Sequence, residues 1–352
     1  METFFETSCT ISEKLVDRSA IALGFFDGVH PGHCSVIQKA IDDARRMNIK
    51  AGIVTFKDHP RSLTRGRSPM LLTVIEKRLE LAEQLGIDFA LVLSFTEELC
   101  RLSPEDYVRN VLVGATGARS ISVGHNHHFG KDREGDAEML AELGRSLDFT
   151  VNVTEMVKVE GREVSSSIIR ELVREGNMKE AALLLRRPFS VYGTVKHGDG
   201  RGKTIGFPTA NLEVYEFQML PSRGVYAGRA RFGQNETRNC VINVGLRPTF
   251  VGATKEERLL IEAHLFTAEG ESPDLYGKPL EVEFHHYLRE EKKFGSKEAL
   301  IEQIQNDKDE ALKFFSTHEK SLERGHNPAD PAPADPDQSE RNKSSREERL
   351  HA

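Results

Sequence analysis

The sequence predicts a parallel α/β domain, followed by a small antiparallel β-barrel and a disordered C-terminal tail. Short apolar runs alternate with amphipathic helical patterns from Ser19 to about Leu185, which is typical of a parallel sheet with helices on both faces. After Arg187-Pro188, strand-like segments follow one another with glycine turns, and this pattern indicates a small barrel. From Thr317 to Ala352, proline and mixed charge leave almost nothing apolar to bury. A binding tail is the alternative for this last segment.

Length, charge and cysteine usage bound the class of protein. At 352 residues the chain exceeds the roughly 250–300 residues at which single cores stop growing, so we expect domains over 1–186 and 187–316 and a tail over 317–352. A formal net charge of −7 argues against broad nucleic-acid binding and leaves polyanionic small molecules as ligands. Neither a secretion signal nor a membrane-length apolar run is evident, so we expect a cytoplasmic protein without membrane partners. Its oligomeric state stays open between a monomer and a transient oligomer. The cysteines are scattered, which indicates free thiols: Cys9, Cys34, Cys100 and Cys240.

The strands of the first domain are expected at five apolar runs. These runs are Ala20–Leu23, Ala51–Phe56, Phe89–Phe95, Ser120–Val123 and Phe149–Val153. A first helix is indicated by apolar residues at i, i+3, i+4 and i+7, namely Ile37, Ala40, Ile41 and Ala44. A second helix repeats this stripe at Ile75, Leu79 and Ala82, and Gly86 is placed to end it. Sheets of this kind bind ligands at the carboxyl ends of their strands, which is where residues 24–33 lie.

The barrel is expected to use five further strands and a closing helix. The strands are Phe189–Val195, Gly224–Phe232, Asn239–Val244, Leu259–Phe266 and Leu280–Leu288. Alternation in the last strand places Val282, Phe284 and Leu288 on one face, and Glu281, Glu283 and His285 on the other. The helix runs from about Ser296 to Phe315, with an inner stripe formed by Ile301, Ile304, Lys308, Leu312 and Phe315.

A first candidate site is the segment "GFFDGVHPGH", residues 24–33. A strand-to-helix turn directs free backbone N–H groups and the positive end of a helix dipole at its ligand, which suits phosphate. His30 and His33 lie on the first helical turn, where both imidazoles reach the same anion and stabilise charge on a transferring phosphorus. An incidental turn is the alternative.

A second element of this domain is "SSSIIR", residues 165–170. Serine hydroxyls at a helix N-terminus bind phosphate or cap the helix, and Arg170 shares the face of Ser166. Capping alone is therefore the alternative explanation for Ser165 or Ser166.

A third informative stretch is "HGDGRGKTIGFPTANL", residues 197–212. Its glycines and basic residues suit a polyphosphate loop, although it lacks the P-loop order and a flexible hairpin also explains the glycines. Thr209 and Asn211 place two hard oxygen ligands on one side of an extended segment, which suits Mg²⁺. Glu262 shares a strand face with His264, where it is either an exposed side chain or a base that takes a proton from an attacking hydroxyl.

The motifs of the first domain resemble the adenylyltransferase module of bacterial FAD synthetases. The resemblance rests on "GFFDGVHPGH", "TFKDHP", "GHNHHFG" and "VSSSIIRELV". It implies that His30 and His33 contact the ATP phosphates and that Ser166 and Arg170 hold the leaving pyrophosphate. It further implies a nucleotide turn lined by Gly24, Phe25 and Asp27, with Asn126 near the flavin substrate. Family members often have Phe at His127, Thr at Ser167 and Arg at Ile168.

The later motifs resemble riboflavin kinase and occur in its order. They are "GRGKTIGFPTANL", "LPSRGVYAG", "INVGLRPTF", "IEAHLF", "DLYGK" and "YLREEKKFGS". The resemblance implies that Thr209 and Asn211 hold Mg²⁺ with ATP and that Glu262 is the general base for the ribityl hydroxyl. It also implies a nucleotide loop with Gly198, Lys203 and Thr204, and a flavin contact from Arg289 in the loop after the last strand. One departure is Arg186, where members commonly have glycine.

The expected function is therefore phosphorylation of riboflavin to FMN and adenylylation of FMN to FAD, with ATP as co-substrate and Mg²⁺ as cofactor. Three alternatives stay open. The chain keeps the kinase and has lost adenylyl transfer, or it binds flavin without turnover, or its first module transfers a nucleotide to another phosphorylated substrate. The C-terminal kinase motifs oppose the last alternative.

Overall fold

The computed structural model describes residues 1–7, 13–59, 69–198, 200–215, 217–233, 236–251, 254–267 and 273–322. Residues 1–314 form one compact unit that contains both a sheet and a barrel. Cys9 and residues 323–352 of the expected tail lie outside the described residues. Within the described ranges, Cys34, Cys100 and Cys240 are free thiols, and no helix there has the length and apolarity to cross a bilayer.

The first module is built on a fully parallel six-stranded sheet, which confirms the predicted α/β class. Its strands are β1 (Glu2–Glu6), β2 (Ser19–Leu23), β3 (Lys50–Phe56), β4 (Phe89–Leu93), β5 (Ala118–Gly124) and β6 (Thr150–Thr154). The order is β1-β4-β3-β2-β5-β6. The edge strand β1 is an addition to the five expected strands.

Helices cover the sheet and follow the predicted apolar stripes. They are α1 (Pro31–Met47), α2 (Ile75–Leu85), α3 (Glu97–Arg101), α4 (Pro104–Asp106, continued by a π-helix over Tyr107–Ala115), α5 (Ala137–Leu147), α6 (Ser166–Glu175) and α7 (Met178–Leu185). The stripe of α1 at Ile37, Ala40, Ile41 and Ala44 is buried, as expected. Gly86 ends α2 with a positive φ of 102°, a conformation that favours glycine. Short pieces complete the module: a 3₁₀ turn at Lys131–Arg133 and the hairpin β7 (Lys158–Val159) with β8 (Arg162–Glu163).

The second module is a closed antiparallel barrel, as predicted, but it has six strands instead of the expected five, because Ala210–Val214 is also a strand. Its strands are β9 (Phe189–Lys196), β10 (Ala210–Val214), β11 (Gly224–Phe232), β12 (Glu236–Val251), β13 (Thr254–Leu265) and β14 (Pro279–Arg289), in the order β10-β13-β12-β11-β14-β9. The short helix α8 (Arg201–Thr204) lies in the glycine-rich loop, and α9 (Lys297–Leu322) follows the barrel. Residues 317–322, expected in the tail, are the end of α9. Of these, Glu319, Lys320 and Leu322 are good helix formers, which is compatible with this extension.

The face assignment of the last strand is wrong at Leu288, and the exposure that it implied is wrong at Glu281. The pairing of β11 with β14 shifts between Ala227↔His286 and Gly228↔Phe284, so a bulge there breaks the alternation. Leu288 therefore leaves the face of Phe284, and Tyr287 packs against the barrel core. Glu281 is 2% exposed instead of facing solvent, since it pairs with side chains of the first module.

The inner stripe predicted for the last helix is also partly wrong. Leu312 is 41% exposed, whereas Asp307 and Ala311 are buried. A buried aspartate is missed by an apolar pattern, and here the burial is tolerated because Arg289 binds both carboxylate oxygens of Asp307, at 2.8 and 2.7 Å.

Candidate functional site

The histidine turn (residues 24–33) lies where the strand order of the sheet reverses. β2 pairs with β3 on one side and with β5 on the other, so the chain leaves β2 at the switch point of the sheet, where ligands of such folds bind. His30 is the N-cap of α1 in an extended conformation, and Pro31 fills the first helical position. The N-terminus of α1 therefore presents its positive dipole end at this crevice.

Asp27 joins the two motifs of the first module. Its carboxylate is 2% exposed and accepts hydrogen bonds from the backbone N–H groups of Leu72 at 3.1 Å and Thr73 at 2.9 Å. Arg170 donates to the same carboxylate from Nη2 at 2.6 Å. Residues far apart in sequence thus converge on one buried anion, which fixes the Arg170 guanidinium at the histidine turn.

The two serines ahead of Arg170 have separate roles. Ser165 caps α6 by accepting a hydrogen bond from the N–H of Ile168, so the capping alternative holds for Ser165. Ser166 instead donates from Oγ to the carbonyl of Asp27 at 2.9 Å. The side chain of Ile168 is exposed.

His30 and His33 form a stacked pair with ring centroids 3.7 Å apart. Burial lowers the pKa of His30 to about 4; Asp27 opposes this shift, while Arg187 and Arg170 add to it. Burial also holds the pKa of His33 well below its usual range. Both rings are thus neutral at pH 7, and the buried Nδ1 of each has no hydrogen-bond partner within the described chain.

Two arginines that the sequence reasoning missed donate hydrogen bonds to the backbone of the histidine turn. Arg78 on α2 donates to the carbonyls of Phe25, Phe56 and Lys57 at 2.8–3.0 Å, and its burial lowers its pKa to about 10. Arg187 donates to the carbonyls of Gly28 and Val29. Neither carries a local pattern, since each binds backbone carbonyls remote in sequence.

The loop after β5 carries the residues expected near the flavin. Asn126 is exposed there, and the ring of His127 lies parallel to Phe129 at 6.0 Å. Burial lowers the pKa of His127 to about 4, and its buried Nε2 has no hydrogen-bond partner among the described residues. A neutral ring with an unpartnered nitrogen therefore lies in the loop where the flavin substrate is expected.

In the barrel, a row of polar residues crosses adjacent strands in register. Asn211 on β10 lies opposite Lys196 on β9 and Glu262 on β13, and Glu262 lies opposite Asn243 on β12. The intervening β13 residues Ile261, Ala263 and Leu265 are buried in the core, so the predicted alternation of β13 is confirmed. Asn243 is an addition that the sequence reasoning missed, although its strand pattern was recognised.

The segment before β10 is held close to this row. A Cβ on Gly198 would lie 2.4 Å from the Asn211 amide nitrogen, so a glycine is required for that close approach. His264 Nδ1 lies 2.8 Å from the carbonyl oxygen of Pro208, which fixes the residue before Thr209. The hydroxyl and amide oxygens of Thr209 and Asn211 are hard donors of the kind that Mg²⁺ prefers, and among the described residues no His/Cys/Asp/Glu cluster offers another metal site.

The other expected kinase residues take different positions. Lys203 and Thr204 belong to α8, and Thr204 is exposed. Arg289 is the last residue of β14, so placing it in the following loop was wrong. Its Nε and Nη2 bind Asp307, and its Nη1 donates to the carbonyl of Glu290.

Comparisons with known proteins match one family to each part of the chain. The FAD synthetase family model matches residues 12–168, and the riboflavin kinase family model matches residues 185–315. The bifunctional riboflavin kinase/FMN adenylyltransferase of Bacillus subtilis is 35% identical over 86% of this chain and 94% of its own length. That of Escherichia coli is 31% identical over 87% and 95%.

A solved structure shares the fold over most of the chain. A Streptococcus pneumoniae protein described as a macrolide-efflux protein superimposes with a TM-score of 0.76 at 28% identity, covering 88% of this chain and 98% of that one. With both family models matched in order and relatives above 30% identity over most of its length, the chain belongs to the family of bifunctional riboflavin kinases/FMN adenylyltransferases.

Proposed function

We propose that this chain phosphorylates riboflavin to FMN in the barrel and then adenylylates FMN to FAD at the histidine turn, with ATP as co-substrate of both steps. The observation that carries the proposal is the convergence on Asp27 of the histidine turn and Arg170. Membership of a bifunctional family supports the kinase half alongside it. We further propose a module boundary near residue 186, a cytoplasmic location, and only small molecules as partners.

For adenylyl transfer, a phosphate oxygen of FMN attacks the α-phosphorus of ATP, and the bond to the bridging oxygen breaks to release pyrophosphate. No protein nucleophile is needed, so the protein supplies position and charge stabilisation. His30 and His33, both neutral, donate hydrogen bonds to the phosphates. Ser166 and Arg170 bind the leaving pyrophosphate, while Asp27 orients Arg170.

A few further residues line the positions of the nucleotide and the flavin at the adenylyl site. Gly24 and Phe25 line the nucleotide turn, and Asn126 with the buried His127 ring faces the flavin. Asp27 acts mainly from inside the protein, because its carboxylate oxygens already accept bonds from Leu72, Thr73 and Arg170.

For the kinase step, Glu262 takes the proton of the ribityl hydroxyl as its oxygen attacks the γ-phosphorus of ATP, and ADP leaves. Glu262 lies opposite Asn211 across the strand pair, so the base and a metal-binding amide share one face. Thr209 and Asn211 would hold Mg²⁺, which neutralises phosphate charge when bound. Gly198, Lys203 and Thr204 form the nucleotide loop, and Arg289 contributes at the flavin end.

The first experiment separates flavins by chromatography after the protein is incubated with riboflavin, ATP and Mg²⁺. We expect FMN followed by FAD. FMN alone would mean that the adenylyl site is inactive. The departures from the family motif at His127, Ser167 and Ile168 would then be the first positions to restore. No product would favour a flavin-binding protein without turnover.

Substitutions assign each step to its site. His33→Ala should abolish FAD formation and spare FMN formation, and Glu262→Gln should lower FMN formation by about 10²–10⁴-fold while FAD formation from supplied FMN persists. Glu213→Gln, an exposed carboxylate on β10, is the matched control and should keep both activities. Loss of both activities from one substitution in a folded protein would contradict the two-site assignment.

A further inference from the structure

Arg187 connects the start of the barrel to the histidine turn. It lies between α7 and β9, and its Nη2 donates to the carbonyl of Gly28 at 2.5 Å. Its Nη1 lies 3.3 Å from the carbonyl oxygens of both Val29 and Leu185. One guanidinium therefore binds two consecutive carbonyls of the turn and the last carbonyl of α7.

These contacts complete a set of bonds to the backbone of the turn. The carbonyl of Asp27 accepts from Ser166, and those of Gly28 and Val29 accept from Arg187. Side chains thus satisfy three successive carbonyls just before the histidine pair. Without Arg187, the carbonyl of Gly28 would lose its side-chain donor, and that of Val29 would keep only the weak S–H donor of Cys34 at 3.6 Å. The backbone of the turn would therefore be held less firmly beside the bound phosphates.

The turn is also packed against the junction that carries Arg187. Gly28 has a φ of 87°, and a Cβ there would lie 2.9 Å from Leu72 and 3.6 Å from Leu185. Because Leu185 is the last residue of α7, the turn and the end of that helix form one packed unit. A shift of the junction would therefore move the turn.

The charge of Arg187 acts on the histidines as well. After burial, the Arg187 guanidinium is one of the charges that lower the pKa of His30 and His33. It favours the neutral rings, which donate hydrogen bonds without adding charge to the apo site.

We propose that Arg187 is a positioning residue for adenylyl transfer: it fixes the backbone of Gly28 and Val29 so that His30 and His33 face the nucleotide phosphates. The inference rests on the proposed adenylyl transfer at this turn. Since Arg187 directly precedes the barrel, it makes the adenylyl site depend on the junction with the kinase module.

The test compares Arg187→Met and Arg187→Lys with Arg186→Met in the full chain. Arg186 is the exposed neighbour, so its variant controls for the loss of one arginine at the junction. FAD formation from FMN and FMN formation from riboflavin are measured separately, and kcat and KM for ATP are determined for each reaction. The thermal midpoint of unfolding is measured for every variant. Arg187→Met should lower kcat of adenylyl transfer by about 10- to 100-fold, with KM changed less and FMN formation unchanged.

Arg187→Lys should retain an intermediate kcat, because an ammonium keeps the charge but does not span both carbonyls. If Arg187→Met does not fold, Arg187→Lys takes its place as the test of the positioning role. A further readout is the pH profile, whose acid limb should move to higher pH in Arg187→Met as the histidines become easier to protonate.

Three results would overturn the inference. The first is a folded Arg187→Met whose kcat for adenylyl transfer equals that of the wild type, and the second is a parallel fall of both activities that follows the thermal midpoint. The third applies if Arg187→Met does not fold, and it is an Arg187→Lys variant that is indistinguishable from the wild type. Absence of FAD formation by the wild type is a different result, and it would remove the proposed function itself.

Discussion

At the scale of single residues, the buried histidine pair makes stability depend on pH. The pKa of His30 is about 4 in the folded protein, against about 6.5 when unfolded, so the unfolded chain binds the extra proton between these values. The stabilising contribution is complete above pH 6.5 and is lost as the pH falls toward 4. The unfolding free energy, measured with urea, should fall from pH 8 to pH 5 in the wild type. In His30→Gln that fall should be smaller by about 2 kcal/mol.

The exposed His125→Gln is the control for this measurement and should show the wild-type drop. His33 acts in the same direction, because its pKa is also lowered by burial. An equal drop in His30→Gln and wild type would mean that His30 is already solvated in the folded protein.

Asp27 provides a second prediction at this scale. Asp27→Asn removes the charge that holds Arg170 and leaves a largely buried guanidinium unpaired, which costs about 3 kcal/mol or more of unfolding free energy. We expect FAD formation to be lost at temperatures where the variant is folded, with FMN formation retained. Asp42→Asn, an exposed carboxylate on α1, should change neither, and a variant of Asp27 with normal adenylyl transfer would contradict the orienting role of Asp27.

The sequence predicted those site residues that belong to local motifs. His30 and His33 share one helical turn, and Ser166 and Arg170 share one helix face, so spacing indicated two candidate phosphate-binding elements. The role proposed for each residue came from the resemblance to the family. Arg78 and Arg187 could not be found in this way, because they bind carbonyls 53 and 158–159 positions away. The contacts of Arg78 form only when the first module has folded, and those of Arg187 form only when the junction has packed against the turn.

At the scale of elements, the end of α7 contains a correctable strain. Arg186 is its C-cap with φ 57° and ψ 23°, a left-handed conformation that favours glycine. The resemblance to riboflavin kinases led us to expect glycine there, and this backbone conformation gives a physical reason for one. Arg186→Gly should raise the unfolding free energy by about 1 kcal/mol, as measured by urea or thermal unfolding, with both activities unchanged.

Arg186→Ala is the matched variant for that prediction. It removes the same side chain and keeps the unfavourable conformation, so we expect no comparable gain. If alanine and glycine stabilised equally, loss of the arginine charge and not backbone strain would be responsible.

Helices and strands could be predicted where their apolar residues follow a regular period. They were missed where pairing with a distant part of the chain determines the structure. The stripe of α1 and the strand pattern of β11 were read correctly, since each follows a regular period. β1 is a short edge strand that pairs only with β4, and the bulge in β14 arises from its pairing with β11. Asp307 is buried because Arg289 is there to bind it, which no pattern within α9 reveals.

At the scale of the whole molecule, a buried charge cluster joins the two modules. We define it as the interface cluster, formed by Lys77 and Glu80 of α2 with Tyr192, Arg231 and Glu281 of the barrel. Arg231 Nη2 lies 2.7 Å from Glu80, and its Nε lies 2.8 Å from Glu281. Lys77 lies 3.0 Å from Glu281, and Tyr192 donates to Glu80 at 2.8 Å. On sequence alone, Glu281 belonged to a solvent face, because its partners lie in another module.

The pair Glu80–Arg231 should therefore couple the stability of the modules. Burial raises the pKa of Glu80, but hydrogen bonds from Arg231 and Tyr192 outweigh it and hold that pKa below its usual range. The stabilisation is present above the unfolded pKa of the carboxyl and is lost as the pH falls and Glu80 protonates. A double-mutant cycle of Glu80→Gln and Arg231→Met, measured by urea unfolding at pH 7, should give a coupling energy of about 1 kcal/mol or more.

The exposed pair Glu97–Arg101 at 2.9 Å is the matched control, and its coupling should be about 0.3–0.5 kcal/mol. Its side chains are 73% and 77% exposed, so water screens an attraction of similar geometry. Equal coupling in the two cycles would show that the interface cluster is as solvated as the surface and contributes little to holding the modules together. A larger value at Glu80–Arg231 that fades at acidic pH would show that burial between the modules strengthens the pair, and thus that the adenylyl and kinase modules stabilise each other.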